Sequence, residues 1–168
     1  TTEEVKRTMA FLNKNNADFA FLHCNSTYPA PVDDINLNWI KSLAKIHPIV
    51  GYSGHERGIN ISLAAVVMGA KIIERHFTLD RNMEGPDHAA SLEYDDFFNL
   101  IQGIREIERA LGSEKERILS QGEMINRENL GKSLVASSSL KKGTVIQAKH
   151  IKVLSPGQGL SPQKIDDL

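Results

Sequence analysis

Apolar residues recur at Val5, Met9 and Leu12 with charged positions between them, the period of an amphipathic helix over residues 3 to 14. The pattern then changes to short apolar runs, DFAFLH at 18 to 23, HPIVGYS at 47 to 53 and AKIIERH at 70 to 76, each of strand length. Helix-length segments separate them. Asp33 and Asp34 open the first, which continues through Ile35, Leu37, Trp39, Ile40 and Leu43, because carboxylates favour a helix N-terminus. INISLAAVVM, between Gly58 and Gly69, forms the second. After a polar loop at 77 to 91, a further helix runs through Phe97, Leu100, Ile104, Ile107 and Leu111, with Ser91 as its N-cap and Gly112 as its stop. Short strands alternating with helices predict parallel βαβ units with right-handed crossovers.

Beyond Gly112 the texture changes. SEKERILSQGEMINREN is charged and of mixed pattern, as a linker would be, and from Ser133 short β-like runs with Gly and Pro punctuation predict a small β-rich module. The predicted division is 1–112, 113–132 and 133–168. Three parallel strands do not make a finished sheet, since their edges stay bare. With an opening on Thr1 inside a helical pattern, the sequence reads as a piece of a longer protein whose other strands precede it.

Composition narrows the class. With 40% hydrophobic and 24% charged residues the chain is of soluble, globular type. A net charge of −1 supplies no general basic field, so neither nucleic acid nor an anionic membrane is an expected partner. No run approaches the roughly 18 apolar residues of a spanning helix, and the start lacks a signal-peptide core, so the expected location is the cytoplasm. The single cysteine, Cys24, forms no internal disulfide, in keeping with a reducing compartment.

Candidate chemistry gathers at the strand ends. GYSGHERG places His55 just beyond the second strand, and ERHFTLD places His76 just beyond the third, 21 residues later. The carboxyl ends of neighbouring parallel strands lie about 5 Å apart, and the loops leaving them build active sites in α/β folds. Two imidazoles converging there either hold one divalent ion, with positions open for water and substrate, or serve only as loop hydrogen-bonders. HExxH spacing is absent, which favours an open site for Mn²⁺ or Mg²⁺ over structural zinc. Asp87, His88 and Glu74 lie close by in sequence, and Glu74 alternates with Ile73 as a buried strand carboxylate would. Ser53, Ser26, Thr27 and Tyr28 offer hydroxyls suited to a phosphate or a sugar, or simply to loop structure. LGKS at 130 to 133 lacks the preceding glycine of a phosphate loop, and no GxGxxG occurs.

The segments LHCNSTYPAP, IVGYSGHERGI, AKIIERHFTLDRNMEGPDHAASLE, ERALGS and KSLVASSSLKKGTVIQAKHIKV resemble, in order and spacing, the sialic acid synthase family, makers of N-acetylneuraminate and related nonulosonic acids. The likeness covers nearly the whole chain. It implies an α/β fold: the C-terminal portion of a (β/α)8 TIM barrel, then a linker and a partial β-rich antifreeze-like (β-clip) domain. It implies condensation of phosphoenolpyruvate with N-acetylmannosamine or its 6-phosphate, releasing phosphate, with a divalent metal, Mn²⁺ or Mg²⁺, on His55 and His76. It places Ser53 and Tyr28 near the phosphate, Asp87 near the metal and its water, and Glu123 on the sugar. A domain-swapped homodimer follows from the likeness alone.

Two positions depart from the family pattern. Ser26 stands where bacterial members carry an asparagine that helps bind phosphate, and Ser155 stands where they carry an arginine that reaches the sugar's acyl group. Both leave the acceptor sugar open. The family's phosphoenolpyruvate-holding lysines would precede Thr1, so no turnover is expected from this chain alone. Alternatives are a synthase for another nonulosonate such as legionaminate, an inactive barrel with a carbohydrate- or partner-binding module, and an unrelated metal-dependent aldolase on the same barrel.

Overall fold

The structure is a computed structural model that describes residues 1–167. It divides into two units, Thr1–Ser113 and Glu114–Leu168.

The first unit is built on three parallel strands in the order β1 (Phe21–Cys24), β2 (Val50–Gly54) and β3 (Ile72–Arg75). α1 (Thr2–Lys14) precedes them, capped by a reciprocal pair in which Thr1 accepts from the Glu4 amide and the Glu4 carboxylate caps Thr1 in return. α2 (Trp39–Ala44) and α3 (Asn60–Val67) are the crossovers, and α4 (Tyr94–Leu111) follows β3.

Alternation sorts the sheet's two faces. Val50, Tyr52 and Ile73 face the helices and form the core with Ile35, Ile40, Leu43, Ala65 and Ala70. The opposite set, Leu22 and Cys24 on β1, Gly51 and Ser53 on β2, and Ile72 and Glu74 on β3, occupies the other face. Every residue of the central strand, β2, is buried. Gly51 is there because nothing larger fits: a Cβ would stand 2.7 Å from the Ile72 carbonyl oxygen and 2.8 Å from its Cβ. Gly51→Ala is therefore expected to cost about 1–3 kcal/mol of overpacking, read as a lower urea midpoint at unchanged slope.

Three local expectations change. The helix predicted from Asp33 begins at Trp39, because Val32–Asp34 close a 3-10 turn and Asn36 takes a left-handed φ of 50° that interrupts the run. The N-cap of α4 is Glu93 rather than Ser91, whose hydroxyl donates instead to the Asp87 carbonyl at 2.8 Å. Glu74 is exposed, while its neighbour Arg75 is buried. Gly112 does end α4, with φ of 58°.

The second unit contains α5 (Gln121–Leu130) and an antiparallel pair, β4 (Ser133–Ala136) with β5 (Ile151–Leu154). The stretch read as a linker thus carries a helix, begun by a Ser120–Glu123 capping box. The buried Ser133 hydroxyl fastens the loop after β5, donating to the Pro156 carbonyl at 2.6 Å and accepting from the Gly159 amide at 2.9 Å.

Candidate functional site

Parallel pairing brings the carboxyl ends of β1, β2 and β3 to one edge of the sheet, where Cys24 pairs with Ser53 and Ser53 with Glu74. The loops leaving that edge carry Ser26 and Tyr28, then His55, then His76 and Asp87. The imidazoles of His55 and His76 lie 5.1 Å apart, centroid to centroid. Tyr28 packs on both, 4.2 Å from His55 and 5.6 Å from His76.

His55 is buried and held from one side. Its Nδ1 lies 2.8 Å from the Asn25 carbonyl oxygen and 3.6 Å from the Cys24 sulfur. A carbonyl only accepts, so Nδ1 bears the proton and the lone pair is on Nε2. That is how a metal-binding imidazole is oriented when its second nitrogen is tied to the backbone. His76 is 35% exposed, and its Nδ1 stands 3.9 Å from Oδ2 of Asp87, itself 53% exposed.

Beneath the histidines lies a buried ion pair made by their sequence neighbours. Arg75 Nη1 donates to Glu56 Oε1 at 3.0 Å, with both side chains out of contact with water. Tyr52 and Ser62 donate their hydroxyls to the same carboxylate at 2.7 and 2.9 Å. The guanidinium also donates to the Gly58, Glu56 and Ala90 carbonyls at 2.7, 2.6 and 3.4 Å. Burial lowers the Arg75 pKa, an effect Glu56 opposes, while burial and the bond to Glu56 raise that of Tyr52, keeping its phenol a donor. One guanidinium therefore fixes the β2 loop that begins at His55 against the stretch ending at Ala90. Residue spacing gave no sign of this pairing; an arginine inside the apolar run KIIER was the available signal.

The other predicted residues are distributed as follows. Ser53 is buried and donates its proton to Glu74 Oε1 at 2.7 Å. Ser26 is exposed, 3.5 Å from the Cys24 sulfur. Glu123 belongs to the second unit, where it caps α5 and pairs with Arg117; the Ser120 amide is the main cause that lowers its pKa.

Among the described residues, no group of three or more His, Cys, Asp or Glu side chains converges as a metal cluster. Two imidazoles, one with its free lone pair fixed by a backbone bond, fit an ion whose remaining positions belong to water and substrate. Among the described residues, no helix is long and apolar enough to cross a membrane.

Comparison with known proteins is consistent along the chain. Residues 1–116 match the model described as the NeuB family, and residues 131–168 match that of the SAF domain. N-acetylneuraminate-9-phosphate synthase of Homo sapiens is 41% identical over 99% of this chain and 47% of its own length. N,N'-diacetyllegionaminic acid synthase of Campylobacter jejuni is 41% identical over 98% of this chain and 50% of its own length. Pseudaminic acid synthase of the same species is 36% identical over the whole chain and 49% of its own length. The chain spans about half the length of the curated relatives it matches. Among solved structures, the N-acetylneuraminic acid (sialic acid) synthetase of Leptospira borgpetersenii in complex with citrate superposes with a TM-score of 0.68 at 35% identity, over 76% of this chain and 46% of that one.

Proposed function

The chain belongs to the NeuB family, and from that premise we propose that a full-length protein carrying it is a nonulosonic acid synthase. The proposed reaction joins C3 of phosphoenolpyruvate to the aldehyde carbon of an open-chain N-acylated amino sugar; water adds at C2, and phosphate leaves. The observation that carries this reading is the His55–His76 pair at the strand ends, with the Nε2 lone pair of His55 freed by the bond to Asn25.

His55 and His76 are the proposed holders of Mn²⁺ or Mg²⁺. When bound, such an ion supplies Lewis-acid polarisation of the acceptor's carbonyl. Asp87, exposed and beside His76, is the group proposed to orient the attacking water and accept its proton. Tyr28, 42% exposed over both imidazoles, closes one side of the site and presents a hydroxyl to the phosphate, as Ser26 does from the same loop. Ser53 reaches a phosphate only by exchanging its bond to Glu74. Glu123 is the proposed sugar contact from the second unit, and a homodimer in which second units cap partner barrels is the proposed assembly. The relatives include 9-phosphate, legionaminic and pseudaminic acid synthases at similar identity, so the acceptor proposed is the class of N-acylated amino sugars rather than one member.

The test is phosphate release by a full-length protein carrying the chain, supplied with phosphoenolpyruvate and N-acetylmannosamine, its 6-phosphate, or a 2,4-diacetamido sugar. The expected result is release that needs a sugar, stops with EDTA and returns with Mn²⁺. Release independent of sugar or metal would overturn the reading.

A further inference from the structure

The loop that carries Asp87 leaves β3 and returns to it. Its two legs are joined near the strand by backbone bonds, from the Leu92 amide to the His76 carbonyl and from the Thr78 amide to the Leu92 carbonyl, both 2.9 Å. Farther out, Asp87 opens a 3-10 turn, and its carbonyl accepts from the Ala90 amide at 3.1 Å and the Ser91 hydroxyl at 2.8 Å. These bonds shape the turn without fixing it against the outgoing leg. His88 supplies that tie. Its Nδ1 lies 2.7 Å from Oγ1 of Thr78, a buried residue two positions beyond His76. The Thr78 hydroxyl gives its one proton to the Asp80 carbonyl at 3.1 Å, so Thr78 accepts and the His88 Nδ1–H donates. Gly85 packs against the same imidazole: a Cβ there would stand 2.9 Å from His88 Cδ2, on a backbone with φ of 149°.

We propose that His88 is a positioning residue whose Nδ1–H, anchored on Thr78 Oγ1, holds the Asp87 carboxylate beside His76. The proposal rests on the reading of Asp87 as the group that handles water. His88 touches no reacting atom and works through the backbone of its neighbour. Displacing a catalytic group by about 1 Å is enough to cost on the order of 100-fold in rate. Gly85 serves the same end by leaving the imidazole room to reach Thr78.

The experiment uses a full-length protein carrying the chain, with His88→Leu, His88→Asn, Gly85→Ala, Asp87→Asn and the Asp87→Asn/His88→Leu double variant. His88→Leu is expected to lower kcat by about 10- to 100-fold with KM for both substrates within about threefold. His88→Asn, whose Nδ2 donates from nearly the place of imidazole Nδ1, restores most of it, and Gly85→Ala gives an intermediate loss. In the Asp87→Asn background, His88→Leu adds nothing, since both act through one group. The ring ¹⁵N signals of His76 are expected to move alike in His88→Leu and Asp87→Asn, a readout that needs no turnover. Absence of phosphate release in the unmodified protein would therefore sink the synthase reading, while the His76 signals still decide the positioning role. Wild-type kcat and His76 signals in His88→Leu, additive losses in the double variant, or no recovery in His88→Asn would each overturn the proposal.

Discussion

Replacing His76 by alanine in a full-length protein carrying this chain is expected to abolish sugar-dependent phosphate release, by on the order of 100-fold or more, without lowering the melting temperature. His76 is one-third exposed, and the Asp87 carboxylate stands 3.9 Å from its Nδ1, beyond hydrogen-bond length. Its truncation therefore opens no cavity in the core and leaves no buried group unsatisfied. His55→Ala is expected to give the same loss of turnover together with a measurable loss of stability. His55 is buried, donates to the Asn25 carbonyl and lies under Tyr28, so its removal strands a backbone acceptor and empties volume, about 1–3 kcal/mol. Mn²⁺ binding followed by electron paramagnetic resonance separates the two roles: both variants should weaken it, and only His55→Ala should also shift the urea midpoint. A His76→Ala protein that retains full, metal-dependent turnover would show that the pair is structural.

The strands and this pair were legible in the sequence because they depend on local signals. DFAFLH, HPIVGYS and AKIIERH announce strands by length and composition, and a histidine just beyond two of them falls at the edge where parallel pairing must bring them together. What stayed hidden depends on register or on single backbone angles. The buried partner of Glu56 is 19 residues away, and the two meet only because Gly54 pairs with Arg75 across β2 and β3. Alternation drew attention to Glu74 as the buried carboxylate, whereas the pleat turns Arg75 toward the helices and Glu74 toward Ser53. The late start of α2 follows from one left-handed residue, Asn36, in a stretch whose apolar period continues undisturbed. Ser91 has the chemistry of an N-cap, but the 3-10 turn at His88–Ala90 takes its hydroxyl first.

Arg75→Met is expected to destabilise the first unit by about 3–5 kcal/mol, the largest stability effect of any single substitution proposed, because it leaves the Glu56 carboxylate buried without its cation. The hydroxyls of Tyr52 and Ser62 still donate to that carboxylate, which limits the loss without neutralising the charge. Glu56→Gln in the same protein is expected to recover part of it, since a neutral amide removes the stranded charge, its oxygen accepting from one of the two hydroxyls while its NH2 donates to the oxygen of the other. Stability regained in the double variant need not restore function. Arg75 also donates to the Gly58, Glu56 and Ala90 carbonyls, and these bonds hold the loops that begin at His55 and His76 in fixed relation. A double variant with a near-normal urea midpoint, weak Mn²⁺ binding and low turnover would show that the ion pair sets the distance between the two imidazoles. Full recovery of all three would reduce it to one polar solution among several for filling the space between β2, β3 and α3.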